Sequence, residues 1–279
     1  MKKLFVGLLT LSLCLFAFTG CFENSQEVSS QTEQSSSEMV TLKVGASPSP
    51  HSEILEQVKE KLKEQNINLE IIEFTDYVLP NLALSNGEID ANYFQHKPYL
   101  EKFNKENGTN IVGVAEIHFE PLGIYPGKSA DLDNIPNNAV IAVPNDATNE
   151  ARSLLLLESL GIIKLKKNVG LNATSIDIIE NPKNIKVFEI EAAQLTETLK
   201  DVDFAIINGN YAVDAKIVDT VLKTEDKDGD ACKTYSNLIC TTDENKDNDL
   251  VKSLVEALQS EEIKSFINQR YKNQFIPAF

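Results

Sequence analysis

The chain has little of what common catalytic centres are built from. No two of its 12 glycines are separated by a single residue, so the dinucleotide-binding fingerprint is absent. The sequence holds no P-loop, no His-Glu-x-x-His and no Gly-x-Ser-x-Gly, which removes the usual signatures of nucleotide hydrolysis, zinc proteolysis and serine hydrolysis. Histidine occurs only at His51, His96 and His118, far apart in sequence. The four cysteines are Cys14, Cys21, Cys232 and Cys240, too few and too distant from histidine for a zinc site. Asp226-Lys227-Asp228-Gly229-Asp230 has the acidity of a calcium loop, but its glycine is misplaced and Asn237 stands where the closing Glu belongs. It reads as a solvated acidic turn. Positive charge is scarce as well. The formal net charge is −16, which argues against nucleic acid, whose binding depends on Lys and Arg neutralising phosphates. No enzyme activity, metal or cofactor is expected.

What is present begins with an export signal. Lys2 and Lys3 precede an apolar run from Leu4 to Phe18, the layout of a secretory signal over residues 1–20. The run is short for a membrane span of about 20 residues. It ends in Phe18-Thr19-Gly20-Cys21, similar to a bacterial lipobox, with Cys21 as the lipid-bearing residue. Residues 21–40 are rich in Ser, Gln and Glu and poor in apolar side chains. Such a segment cannot repay ordering and reads as a tether. The expected location is the extracytoplasmic face of the cell membrane, through a lipid anchor. With Cys14 removed and Cys21 lipidated, Cys232 and Cys240 remain, either paired across a short loop or as two free thiols.

From residue 41 onward, strand-like and helix-like patterns alternate. Thr41 to Ala46, Asn68 to Phe74 and Ile89 to Phe94 read as strands. Ile54, Leu55, Val58 and Leu62 form a helical stripe, introduced by Ser49-Pro50 as N-cap and first helical residue. Asn110 to Tyr125 reads as one long strand passing between lobes. A second block follows, with strands at Ala139 to Pro144, Ser175 to Glu180, Val187 to Ile190 and Phe204 to Asn208, and a helix from Glu150 to Leu160. Asn237 to Thr241 is expected to return to the first lobe. Alternation of this kind predicts an α/β protein with mainly parallel sheets flanked by helices. Two blocks predict two lobes and a ligand cleft beyond the strand ends. The lobes are placed at 41–122 with 235–279, and at 123–234.

Three clusters sit at strand ends, where ligand contacts concentrate. Tyr77 follows one strand, and Tyr93, Phe94 and His96 end the next. They could wall an apolar slot or simply pack. Asn149 and Arg152 follow a strand at the start of a helix. Arg152, one of only two arginines, would combine with free helix amides to grip an anion, above all a carboxylate. Alternatively it faces solvent or pairs with Glu150 or Asp146. Asn208, in Ile207-Asn208-Gly209-Asn210-Tyr211, and Asn237 could serve the polar ends of an amino acid, or Asn-Gly could be a plain turn.

These residues have a familiar arrangement. Val44-Gly45-Ala46-Ser47-Pro48, Pro50-His51, Asp76-Tyr77-Val78-Leu79-Pro80-Asn81 and Asp90-Ala91-Asn92-Tyr93-Phe94-Gln95-His96 closely resemble the methionine-binding lipoproteins, also called NlpA lipoproteins. So do Val143-Pro144-Asn145-Asp146, Asn149 with Arg152, Glu180-Asn181-Pro182 and Ile207-Asn208. The resemblance implies a two-lobed, type II periplasmic-binding-protein-like fold serving an ABC importer, with L-methionine and a membrane permease as partners. It implies that Tyr77 and Phe94 flank the thioether, with His96 and Tyr93 beside them. Arg152 would hold the α-carboxylate, and Asn149, Asn208 and Asn237 the backbone ends. The Cys232 to Cys240 segment and the Asp226 to Asp230 stretch depart from the family pattern. Other readings are a methionine-containing dipeptide or another small amino acid as ligand, or a surface adhesin or scaffold without a transport role.

Overall fold

The computed structural model describes residues 39–279 apart from 228, 229 and 273. The signal, Cys21 and nearly all of the tether lie outside the described residues; Val40, placed in the tether from sequence, already begins the first strand. The first block runs β1 (Val40–Ala46), α1 (Glu53–Glu56), α2 (Lys59–Lys63), β2 (Ile67–Glu73), α3 (Leu79–Ser85), β3 (Ala91–His96), α4 (Lys97–Asn107) and β4 (Ile111–Phe119). The second contains β5 (Gly123–Pro126), β6 (Val140–Pro144), α5 (Ala147–Ser159), β7 (Lys164–Leu165), β8 (Ile178–Glu180), β9 (Lys186–Ile190), α6 (Leu195–Thr198), β10 (Phe204–Ile207), α7 (Gly209–Asp214) and β11 (Lys223–Thr224). The chain then passes through α8 (Asp230–Thr234), β12 (Ser236–Thr242), α9 (Asp249–Leu258), α10 (Glu261–Arg270) and β13 (Ile276–Pro277).

Two main sheets result. The six-stranded sheet has the order β13-β4-β12-β3-β1-β2 and the five-stranded sheet β11-β5-β10-β6-β9; β7 and β8 form a separate ribbon. Each main sheet is built around a parallel trio, β2-β1-β3 or β9-β6-β10. Each trio carries an antiparallel neighbour, β12 beside β3 and β5 beside β10. A strand that returns after the second block therefore lies between β3 and β4. This is the two-lobed type II arrangement, mixed α/β with helices packed on the sheets.

The helical stripe packs as its spacing requires. Ile54, Leu55, Val58 and Leu62 are at most 2% exposed and join the core of the six-stranded sheet, as do Leu254 and Leu258 of α9. Burying each such side chain contributes about 1.5–3 kcal/mol. A separate core forms under the five-stranded sheet, with Leu154 and Leu157 of α5 against Ile141, Phe204 and Ile206.

Three local expectations are corrected. The Ser49–Pro50 peptide is cis and Ser49 is extended, so the regular helix begins at Glu53 rather than at Pro50. The stretch from Asn110 to Tyr125 is two strands, because Pro121 has no N–H with which to continue a ladder between β12 and β13. Helix α5 starts at Ala147, capped by Asp146, whose carboxylate accepts from Asn149 N–H at 3.0 Å. Arg152 is thus in the second turn, not among the free amides of the first. Cys232 and Cys240 are not joined by a disulfide.

Gly127, just after β5, ties that strand's end to the segment that leads into β10. Its N–H donates to the Asp203 carbonyl at 3.0 Å. A Cβ here would stand 2.4 Å from the Val202 carbonyl oxygen and 2.6 Å from that of Leu199. Backbone cannot yield as a side chain can, so Gly127→Ala is expected to cost about 1–3 kcal/mol. A lowered urea midpoint with an unchanged slope is the result to look for.

Candidate functional site

A narrow pocket lies where the ends of both sheets meet. One wall is aromatic: Tyr77 from the loop after β2, Phe94 from β3 and Tyr99 from α4. The Tyr77 and Phe94 rings stack at 5.9 Å between centroids, and Tyr99 meets both edge-on at 5.9 and 6.0 Å. The opposite wall is polar, with Asn149 and Arg152 of α5, Asn208 and Asn210 flanking Gly209, and Asn237 of β12. Glu120, in the connection between β4 and β5, completes it.

Hydrogen bonds cross this pocket from one sheet's elements to the other's. His96 Nδ1 accepts from Tyr99 N–H at 3.2 Å, capping α4. That assigns the proton to Nε2, which donates to Asn149 Oδ1 at 3.1 Å. Asn208 Nδ2 donates to the same oxygen at 3.2 Å. The Tyr77 hydroxyl donates to Asn210 Oδ1 at 2.6 Å, and that of Tyr211 to the Thr75 carbonyl at 3.1 Å. Two buried atoms of the pocket residues have no partner: the acceptor Asn208 Oδ1 and the donor Asn210 Nδ2.

Arg152 is 3% exposed. Its Nε and one terminal nitrogen, Nη2, clasp the Glu225 carboxylate at 2.7 and 2.5 Å, and Nη2 also donates to the Glu120 carbonyl at 2.8 Å. The Tyr235 ring lies 4.2 Å from the guanidinium carbon, a cation–π distance. Nη1 has no hydrogen-bond partner among the described residues. Glu225 also accepts from Leu122 N–H at 2.8 Å.

Behind Glu120 lies a second buried network. His118 Nε2 donates to Glu120 Oε1 at 2.8 Å, and Tyr93 donates its hydroxyl proton to His118 Nδ1. His51 Nε2 donates to Asn237 Oδ1 at 3.0 Å and stands 3.4 Å from Glu120 Oε1. The donor atoms of His51, His118 and Glu120 lie within 4.8 Å of one another, the spacing of a metal centre. In this bonding pattern both Nε2 atoms carry protons, so the lone pairs that a cation needs are not offered.

Comparison with known proteins places these residues in context. The profile of the NlpA lipoprotein family matches residues 42–279. The chain belongs to the NlpA lipoprotein family. Among relatives in that family, the D-methionine-binding lipoprotein MetQ of Salmonella typhimurium is 43% identical over 233 residues, covering 82% of this chain and 84% of its own. A crystal structure of a putative lipoprotein from Ruminococcus gnavus superposes with a TM-score of 0.84 at 49% identity, covering 86% of this chain and 99% of that one. A nutrient-binding protein from Burkholderia cenocepacia, solved bound to methionine, gives 0.79 at 42% identity, covering 85% of this chain and all of that one.

Of the eight residues singled out in this NlpA chain, seven line the pocket: Tyr77, Phe94, His96, Asn149, Arg152, Asn208 and Asn237. Tyr93 does not. Alternation along β3 turns it to the other face of the sheet, where it is fully buried against His51 and His118. The partner of Arg152 is neither Glu150 nor Asp146 but Glu225, beside the acidic stretch read as solvated. Glu120 and Asn210 were not selected either. Asn210 sits in the Asn-Gly-Asn run and was within reach of that reading; Glu120 carries no local signal.

All three histidines are kept neutral. Burial is the largest cause in each case, lowering His51 to about 4 and His96 and His118 to about 3. Burial moves Glu120 the other way, above the usual carboxylate range. The unfolded chain takes up protons on its histidines near pH 6.5, whereas the folded chain resists until about pH 4 to 3. Stability from this source is full above 6.5 and lost as the pH falls through the folded values. Glu120 opposes the trend, one group against three. His96→Asn keeps an N-cap oxygen and removes one titrating group. It should flatten the fall of stability between pH 6.5 and 4 by up to about 1.4 kcal/mol per pH unit, measured by urea unfolding across that range.

Proposed function

We propose that this protein is a lipid-anchored receptor on the extracytoplasmic face of the membrane, which captures L-methionine and delivers it to the permease of an ABC importer. Lipid on Cys21 anchors it, and residues 21–40 tether it. Residues 41–122 with 235–279 form one lobe and 123–234 the other, closing over the ligand between them. The observation that carries the reading is the polarity of the pocket. Stacked rings line one side, and a guanidinium edge with two unpartnered amide atoms lies on the other.

Methionine has the matching polarity. Its thioether lies against the Tyr77 and Phe94 rings, with His96 at the edge; sulfur–aromatic contacts contribute about 0.3–1.5 kcal/mol each. Its carboxylate takes the Nη1 edge of Arg152, which has no partner among the described residues. Asn149, Asn208 and Asn237 frame the backbone ends, and Asn210 Nδ2 offers a further donor. The methionine-bound relative from Burkholderia cenocepacia supports the choice of ligand.

Isothermal titration of the signal-less protein against L-methionine, D-methionine and methionine dipeptides tests this directly. L-methionine should bind most tightly. Arg152→Lys keeps a positive charge beside Glu225 but loses the planar fork, and it should weaken methionine binding at least about tenfold. Unchanged affinity in a folded Arg152→Lys protein would remove the carboxylate role.

A further inference from the structure

The charges around the pocket do not balance. Arg152 is neutralised by Glu225, in a two-pronged pair with both side chains at most 8% exposed. Glu120 is 5% exposed and faces the same pocket. Its only ion-pair neighbours among the described residues are His51 and His118, and burial holds both imidazoles neutral. Among the described residues, no lysine or arginine side chain pairs with its carboxylate; Arg152 hydrogen-bonds only its backbone carbonyl.

The surroundings of Glu120 are arranged for an anion. His118 Nε2 donates to it at 2.8 Å, and the Asn210 backbone N–H favours its charged form. A Cβ on Gly209 would fall 2.8 Å from Oε2, so glycine lets the carboxylate lie against the backbone there. An ionised carboxylate offers only acceptors, and a cationic group bound beside it would favour that form against the burial that raises Glu120. A buried carboxylate with N–H donors but no cation is costly. Asn208 Oδ1, a second buried acceptor lining the pocket, has no partner among the described residues. A buried carboxylate without a cation and an unpartnered acceptor beside it describe a seat for a group that carries several N–H donors and a positive charge.

We propose that Glu120 is the counter-charge for the ligand's free α-ammonium group, so that the pocket selects unblocked α-amino acids and rejects N-acylated or deaminated analogues. The inference rests on the reading that this pocket holds methionine. It adds a specificity determinant from the β4–β5 connection, opposite in sign to Arg152. The zwitterion then completes both halves of the site. Its carboxylate meets the guanidinium edge that Glu225 leaves over, and its ammonium meets Glu120 and Asn208 Oδ1.

The test compares methionine with its α-hydroxy analogue, which replaces the ammonium by a neutral hydroxyl. Titration calorimetry of the wild type should favour methionine by about 100-fold or more, as befits a buried charge pair. In Glu120→Gln, which keeps an acceptor for His118, that preference should fall below about tenfold, with the hydroxy analogue bound within about threefold of wild type. N-acetylmethionine should not compete in the wild type. Retention of the full preference in Glu120→Gln, or equal loss of both ligands, would overturn the proposal. Should the variant not fold, a wild type that binds both ligands alike overturns it by itself. A wild type that binds neither overturns the methionine reading as well.

Discussion

A guanidinium that is almost fully buried must be given an anion, because an unpaired charge there would cost several kcal/mol. The Arg152–Glu225 pair meets that demand, and much of the site is fixed by it. It ties α5 to the segment that follows β11. Through the Glu120 carbonyl and the Leu122 N–H it also holds the β4–β5 connection. Tyr235 covers the flat face of the cation just before β12 returns to the first sheet. Four separated stretches of chain thus meet around one side chain.

The same logic extends along the boundary between the sheets. Asparagine recurs there because one carboxamide can accept and donate at once. Asn149 receives His96 and Asn208 on its oxygen while its nitrogen bonds Asp146. Asn210 receives Tyr77. Each such bond contributes roughly 0.5–1.5 kcal/mol net, so the boundary is fastened by several moderate links rather than a single strong one.

The sequence made the α/β alternation and the aromatic cluster visible, because both rest on local signals. Ile54, Leu55, Val58 and Leu62 repeat at helical spacing, and Tyr77, Phe94 and His96 lie at strand ends. The seven pocket residues were gathered partly by family resemblance, which supplied what spacing alone could not. The misses share a different origin. Glu225 meets Arg152 across 73 residues, and nothing near Glu225 distinguishes it from a solvated acid. His51 and His118 meet only because β1 and β4 share a sheet, one on each side of the β3–β12 pair. Tyr93 was misplaced by one step of strand alternation, since being next to Phe94 in sequence means facing the opposite way. The start of α5 was set three residues late because the Asp146 cap was not used.

The position of β12 between β3 and β4 has a consequence for biosynthesis. The five-stranded sheet draws on a continuous stretch from β5 to β11, so all of its strands are available before β12 has been made. The six-stranded sheet is incomplete until the last part of the chain emerges, because β4 meets β3 only through β12. During that interval both strands present bare edges to their surroundings, a standing invitation to pair with a foreign strand. Assembly of the first-made half is therefore governed by the last-made segment, and delay in delivering the tail prolongs that exposure.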